Sequence, residues 1–364
     1  MPIPVLRELT PVGRAAVAAT LLLCGVALAM AYLLAIEGTP LFVVSALAIL
    51  GLAYVVGLAT ERLGDLAGPQ VGGVLNATFG NIAELIIAFF ALKAGLIDVV
   101  KASLTGSIIG NLLLVLGASL FIGGLRHGTQ HFSARIAGLD ATMLVLAVIG
   151  LFVPATFALS SGEVAGAPGR STENEGVAVV LIVLYALMLI YRLRHPVELP
   201  GGRGPVTEAG PAWTLRAALV VLVASAALLA VLSELLVGAI DPFIAQFDLT
   251  PLFVGVIVLP LIGNLAEQSV AVKLAARDHL DFSMAVAMGS SLQIALFVAP
   301  VLVLLGIVVG QPMDLVFTPL EIAAVAAAAG IAALIALDGE SNWLEGALLL
   351  GVYAILAISF FELG

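Results

Sequence analysis

Gly80-Asn81-Ile82-Ala83-Glu84 is the stretch that decides how this chain folds. It lies inside 71–95, a segment apolar enough to cross a membrane, with Glu84 near the middle. A carboxylate at that depth costs roughly 3 kcal/mol on insertion scales unless something balances it. The chain repeats the pattern in Gly263-Asn264-Leu265-Ala266-Glu267, again inside a long apolar segment. Two matching carboxylates at membrane depth read as two halves of one cation site.

Composition sets the class around them. The 364 residues are 62% hydrophobic and 10% charged, against about 25% charged in a soluble domain. The chain is therefore an integral membrane protein with the lipid bilayer as its medium. Its apolar runs reach helix length without alternation, which favours helices over a barrel. A net charge of −10 gives no reason to expect nucleic acid. Cys24, the one cysteine, reads as a small apolar packing residue. The histidines, His127, His131, His195 and His279, fall in expected loops. No Ser-His-Asp constellation, phosphate-binding loop or metal-hydrolase motif is present, so the expectation is neither an enzyme nor an ATP-driven pump.

Eleven segments have spanning length: 14–36, 40–60, 71–95, 100–125, 137–160, 175–195, 213–240, 250–276, 281–309, 316–337 and 343–362. The first is too long for the core of a cleaved signal. The longest connections, 160–175 and 195–213, are rich in Gly and Pro and read as loops. With the N-terminus inside, Arg7, Arg14, Arg62, Arg126, Arg135, Arg192, Arg194, Arg203, Arg216, Lys273 and Arg277 fall on the cytoplasmic side. Only Lys93, Lys101 and Arg170 fall outside. That asymmetry places the N-terminus in the cytoplasm and the C-terminus outside. The Ala-, Gly- and Leu-rich composition with minimal loops suggests a prokaryotic inner (cell) membrane.

An internal repeat organises the segments. Gly80 and Gly263 are 183 residues apart, as are Gly106-Ser107 and Gly289-Ser290. Upstream, Ala59-Thr60-Glu61 echoes Leu232-Ser233-Glu234, with a longer loop after the second copy. The fold class that follows is all-α: an N-terminal transmembrane helix (1–39), a first five-helix repeat (40–195), a cytoplasmic linker (196–212) and a second five-helix repeat (213–364). Segment seven follows segment two by five segments, an odd offset, so the repeats are inverted, as in many secondary transporters with a midplane site.

The polar residues of these segments share a chemistry. Asn81 and Glu84 stand at i, i+3 on one helix face, as do Asn264 and Glu267. Segment four carries Ser103, Ser107 and Asn111 at i, i+4, i+8, and segment nine carries Ser290, Ser291 and Gln293. Glu84 and Glu267 are the expected cation carriers. Asn81, Asn264, Ser107, Asn111, Ser290, Ser291 and Gln293 are expected to line the site. All offer oxygen, which suits a hard cation such as Ca2+ with its 6–8 oxygen ligands and suits zinc or copper poorly. Gly72, Gly73, Gly80, Pro251, Gly255, Pro260 and Gly263 flank the carboxylates. They read either as close packing or as helix breaks that expose carbonyls to a cation. Glu61 and Glu234, near their helix ends, read as solvated residues or a secondary acidic relay.

The two signatures carry a resemblance. Leu75-Asn76-Ala77-Thr78-Phe79-Gly80-Asn81-Ile82-Ala83-Glu84 and Gly263-Asn264-Leu265-Ala266-Glu267 resemble the signature repeats of the calcium/proton exchangers, within the calcium/cation antiporter superfamily. Gly106-Ser107-Ile108-Ile109-Gly110-Asn111 and Gly289-Ser290-Ser291-Leu292-Gln293 resemble the helices that follow. The Gly-Thr-Ser-x-Pro-Glu-like signatures of sodium/calcium exchangers are absent. The resemblance implies eleven helices, two inverted repeats, and Glu84 and Glu267 as Ca2+ and proton carriers. Two positions depart from it: Gln268 stands where His is commoner, and the loop after segment six has no acidic run.

The expected activity is secondary antiport of Ca2+ for H+, with other divalent cations and a homo-oligomer allowed and with no cofactor. Two carboxylates in low dielectric need neutralising, and protons or one dication can do it. The two occupants exclude each other, and that exclusion is the coupling. Sodium/calcium exchange is the alternative; a cation channel or a membrane scaffold would leave the repeated signature unexplained.

Overall fold

The computed structural model describes residues 10–68, 75, 78–161, 170–194 and 213–363. They form twelve helices: α1 Pro11–Tyr32, α2 Thr39–Ala67, α3 Ile82–Lys93, α4 Ile97–His127, α5 Ala134–Ser161, α6 Arg170–Arg194, α7 Leu215–Gly238, α8 Ile240–Phe247, α9 Pro251–Ala275, α10 Leu280–Val308, α11 Pro319–Asp338 and α12 Trp343–Glu362. Threonine followed by proline opens three of them. Thr10, Thr250 and Thr318 cap α1, α9 and α11 through their hydroxyls, and Pro takes the first helical position, where its missing N–H is no loss.

Ten of the helices are long and apolar enough to cross a membrane. Each matches one of the eleven expected segments. The remaining segment, 71–95, is represented by α3; 71–74, 76 and 77, with Gly72 and Gly73, lie outside the described residues, as does the linker 196–212. Three details differ from expectation. Residues 170–175 belong to α6, not to a loop. The connection after segment seven contains α8, closed by Asp248 in the left-handed region at φ 52°. A two-residue antiparallel ladder pairs Gln130 with Ser341 and His131 with Glu340.

α4, α9 and α10 each contain one π-helical turn, at Gly110–Val115, Val254–Val258 and Ile294–Val298. The latter two end just before Pro260 and Pro300. Each proline lacks the N–H that would bond the carbonyl four residues back, and a widened turn absorbs the mismatch.

The chain divides into two compact units, each drawing on both sequence halves. Unit 1 holds Met1–Ala94, Arg203–Leu249 and Ile262–Glu267. Its core joins Val56, Ala59 and Leu63 of α2 to Trp213, Ala218 and Leu222 at the start of α7. The opening of α2 meets α8: Phe42 stacks on Phe243 at 4.1 Å, and Thr39 Oγ1 donates to Gln246 Oε1. The start of α2 and the end of α7 therefore share a side, which is the inversion expected for segments two and seven.

Unit 2 holds Gly95–Gly202, Thr250–Leu261 and Gln268–Gly364. Helices approach here through small residues. An added Cβ on Gly106 of α4 would lie 2.0 Å from the Val256 carbonyl oxygen of α9, and one on Gly346 of α12 would lie 2.2 Å from the Phe121 nitrogen. At one end, the turn after α4 clasps the turn after α9: Gln130 Nε2 donates to Ala275 O at 3.0 Å and to Asp278 Oδ1 at 2.8 Å, and the Ser133 amide donates to Asp281 Oδ1 at 2.7 Å. The end of α4 thus meets the start of α10, so segments four and nine are also inverted.

Candidate ion site

Both signature carboxylates fall in unit 1, in different local settings. Around Glu84 the chain turns at Gly80-Asn81 and α3 begins at Ile82. Glu84 therefore sits in the first turn of α3, where unpaired amides and the helix dipole favour an anion by about 0.3–1 kcal/mol. Asn81 is 4% exposed and its carbonyl accepts the Leu85 amide at 3.0 Å. Of the two readings of the flanking glycines, a helix break is therefore the one seen at Gly80.

The second copy runs unbroken. Gly263, Asn264 and Glu267 lie inside α9, beyond its π-helical turn. Asn264 is 2% exposed, and its Nδ2 donates to Glu84 Oε1. The amide of one signature thus holds the carboxylate of the other. Gly263 makes room for this: a Cβ there would lie 2.8 Å from Glu84 Cγ. Gly263 therefore serves the contact between signatures. Gly255 serves packing: its added Cβ would lie 2.4 Å from Ala102 Cβ. Glu267 is half-buried, and Gln268 beside it is buried.

The remaining expected lining residues belong to unit 2. Ser107, Asn111 and Ser290 are buried and Gln293 is half-buried. Asn111 stands inside the π-helical turn of α4, and Gln293 immediately precedes that of α10. Ser291 turns its hydroxyl back on its own helix, donating to Ala287 O at 2.9 Å. Glu61 and Glu234 are exposed in unit 1, and Glu234 pairs with Lys93 at 3.2 Å.

Four ionisable groups in unit 2 that the sequence reading did not single out are also withdrawn from solvent. Asp140 accepts from Arg192 Nη2 at 2.7 Å. Lys101, 9% exposed, binds Asp314 and the Val316 carbonyl at 3.0 Å. Glu321 is 2% exposed at the start of α11. Asp140 and Lys101 find these partners far off in sequence, whereas Glu321 closes a local capping box with Thr318. Among the described residues, no three His, Cys, Asp or Glu side chains gather as a metal cluster. The oxygens that unit 1 offers a cation are those of Glu84 and Glu267 with the side-chain amides of Asn81 and Asn264.

Comparison with known proteins agrees with this arrangement. The family described as sodium/calcium exchanger protein matches residues 37–194 and 217–361. A Ca2+/H+ antiporter of Synechocystis is 46% identical over 342 residues, covering 89% of this chain and 91% of its own. The Ca2+/H+ antiporter ChaA of Bacillus subtilis is 42% identical, covering 89% and 92%. The crystal structure of the Ca2+/H+ antiporter YfkE superimposes with a TM-score of 0.81 at 38% identity, covering 97% of this chain and all of that one. The inverted helices, the meeting of the two signatures and these likenesses lead to one conclusion: the chain belongs to the sodium/calcium exchanger protein family, among its calcium/proton exchangers.

Proposed function

We propose that the protein is a secondary antiporter that exchanges Ca2+ for H+, with Glu84 and Glu267 as the groups that carry both. The observation that carries this reading is the hydrogen bond from Asn264 to Glu84, which joins the two signatures at a carboxylate in a membrane helix. The Asn264 amide is neutral, and in the proposed exchange the anion is balanced by something that can move. A proton on Glu84 or a dication shared with Glu267 does so, and each displaces the other. Asn81, Asn264, Ser107, Asn111, Ser290, Ser291 and Gln293 line the path with neutral oxygens. The N-terminus is cytoplasmic in a bacterial inner membrane, the C-terminus is outside, and protons entering the cell drive Ca2+ out.

Flux into proteoliposomes tests this. Vesicles with an acidic lumen are expected to accumulate Ca2+ against its gradient, and collapsing the pH difference stops the uptake. Uptake driven by a sodium gradient instead would favour sodium/calcium exchange. Purely downhill Ca2+ movement would make the protein a channel.

A further inference from the structure

We propose that Glu321 is a positioning residue for the transport site: through Thr105 it fixes α4, and with it Ser107 and Asn111. The inference rests on the reading of Ser107 and Asn111 as lining residues.

Three consecutive residues of α4 point three ways, as a helix dictates. Thr105, 2% exposed, donates its hydroxyl to Glu321 Oε1 at 3.1 Å. Gly106 lies against the α9 backbone, so close that a Cβ would reach 2.0 Å from Val256 O. Ser107 is the residue assigned to the path. An anchor on one side and a backbone contact on the next leave α4 little freedom to rotate or slide at Ser107. Asn111, one turn further on, inherits the setting.

Glu321 is built as a fixed post. Its Oε2 accepts the Thr318 amide at 2.8 Å and the Thr318 hydroxyl at 2.8 Å, while the Glu321 amide donates to Thr318 Oγ1 at 3.3 Å. This capping box locks the side chain to the first turn of α11. Both carboxyl oxygens are engaged, so Glu321 serves as an acceptor for Thr105, with no ion-carrying role. Lys101, one turn before Thr105 on the same face, reinforces the anchor through Asp314 and Val316 O. α4 thus has a docking face, Lys101 and Thr105, roughly opposite the face of Ser103 and Ser107. A carboxyl withdrawn from solvent is an expensive way to hold a helix where leucine would do, unless placement matters.

The test is Thr105→Val, near in shape and lacking the hydroxyl, with Thr105→Ser as the conservative variant and Glu321→Gln as the partner change. Ca2+ uptake under a pH gradient and the Ca2+-dependent rise in melting temperature of the purified protein are both measured. Thr105→Val is expected to raise the half-saturating Ca2+ about tenfold, equivalent to about 1.4 kcal/mol, at a normal yield of folded protein. Thr105→Ser is expected to restore it to within about twofold. Glu321→Gln, if it folds, is expected to shift the same way. Unchanged half-saturation in Thr105→Val, or uptake lost only in proportion to folded protein, overturns the inference. A wild type inactive in both assays would overturn the functional reading, and this inference with it.

Discussion

Replacing Gly263 by alanine separates stability from transport. The new Cβ would stand 2.8 Å from Glu84 Cγ and 3.8 Å from its Cα and Cδ. Carbon atoms rest at about 3.5–4.0 Å, so the main chain of α3 need not move, whereas the side-chain stem of Glu84 must retreat by roughly 0.7–1.2 Å. That movement pulls Oε1 from Asn264 Nδ2, a hydrogen bond to a carboxylate of a kind worth about 1.5–3 kcal/mol. If this energy orders the carboxylate for Ca2+, uptake falls roughly tenfold to a hundredfold. Stability behaves differently. Gly263 lies within α9, and alanine favours a helix interior by about 1 kcal/mol. That gain offsets only part of an overpacking cost of about 1–3 kcal/mol. The expected protein is therefore lowered in melting temperature but still folded, and its pH-driven Ca2+ uptake per folded molecule is severely impaired. Uptake within twofold of wild type at an unchanged half-saturating concentration would refute the reasoning, because Glu84 would then not depend on its seat against Gly263.

Three further predictions follow from named residues. Glu84→Gln and Glu267→Gln each remove a charge and a releasable proton while keeping shape, so each alone should abolish coupled uptake in a well-inserted protein; near-normal rates in either would sink the mechanism. Gly106→Ala drives a Cβ into the Val256 backbone and should sharply lower the yield of folded protein, whereas Gly289→Ala, its counterpart 183 residues on, meets nothing within 4 Å and should be tolerated; equal yields would contradict the close contact of α4 with α9. For topology, exposed Glu37 and Arg126 are the labelling positions. Glu37→Cys should react with an impermeant thiol reagent from outside and Arg126→Cys only from inside, over a low background because Cys24 is 2% exposed; labelling of both from one side would break the proposed alternation.

The parts of this molecule legible from sequence are those governed by local solvent preference. Long apolar runs mark the spans, the spacing of 183 residues marks the repeat, and the odd offset between its copies gives the inversion. The parts that were not legible depend on partners far along the chain. Residues 170–175 read as a loop because they are polar, yet Asn174 is buried in unit 2 and accepts the Leu315 amide at 3.0 Å. A polar helix start is stable when it is covered by protein in place of lipid. α8 was hidden by Asp241 and Pro242, which break the apolar pattern but suit the first turn of a helix. Lys101 and Asp314 are 213 residues apart, and Thr105 and Glu321 are 216 apart. No periodicity announces such pairs.

The sharpest divergence is between the two signatures themselves. The same Gly-Asn-x-Ala-Glu pattern forms a turn and a helix start at Gly80, and unbroken helix at Gly263. Glycine permits both conformations, so the choice is made by tertiary context. Its consequence is chemical. Glu84 stands in the first turn of α3 and accepts from the Asn264 amide, whereas Glu267 lies within α9. Two carboxylates that look alike in sequence therefore have different backbone settings. The proposed exchange draws on the glycine, amide and carboxylate of both signatures, which is the pattern the chain repeats.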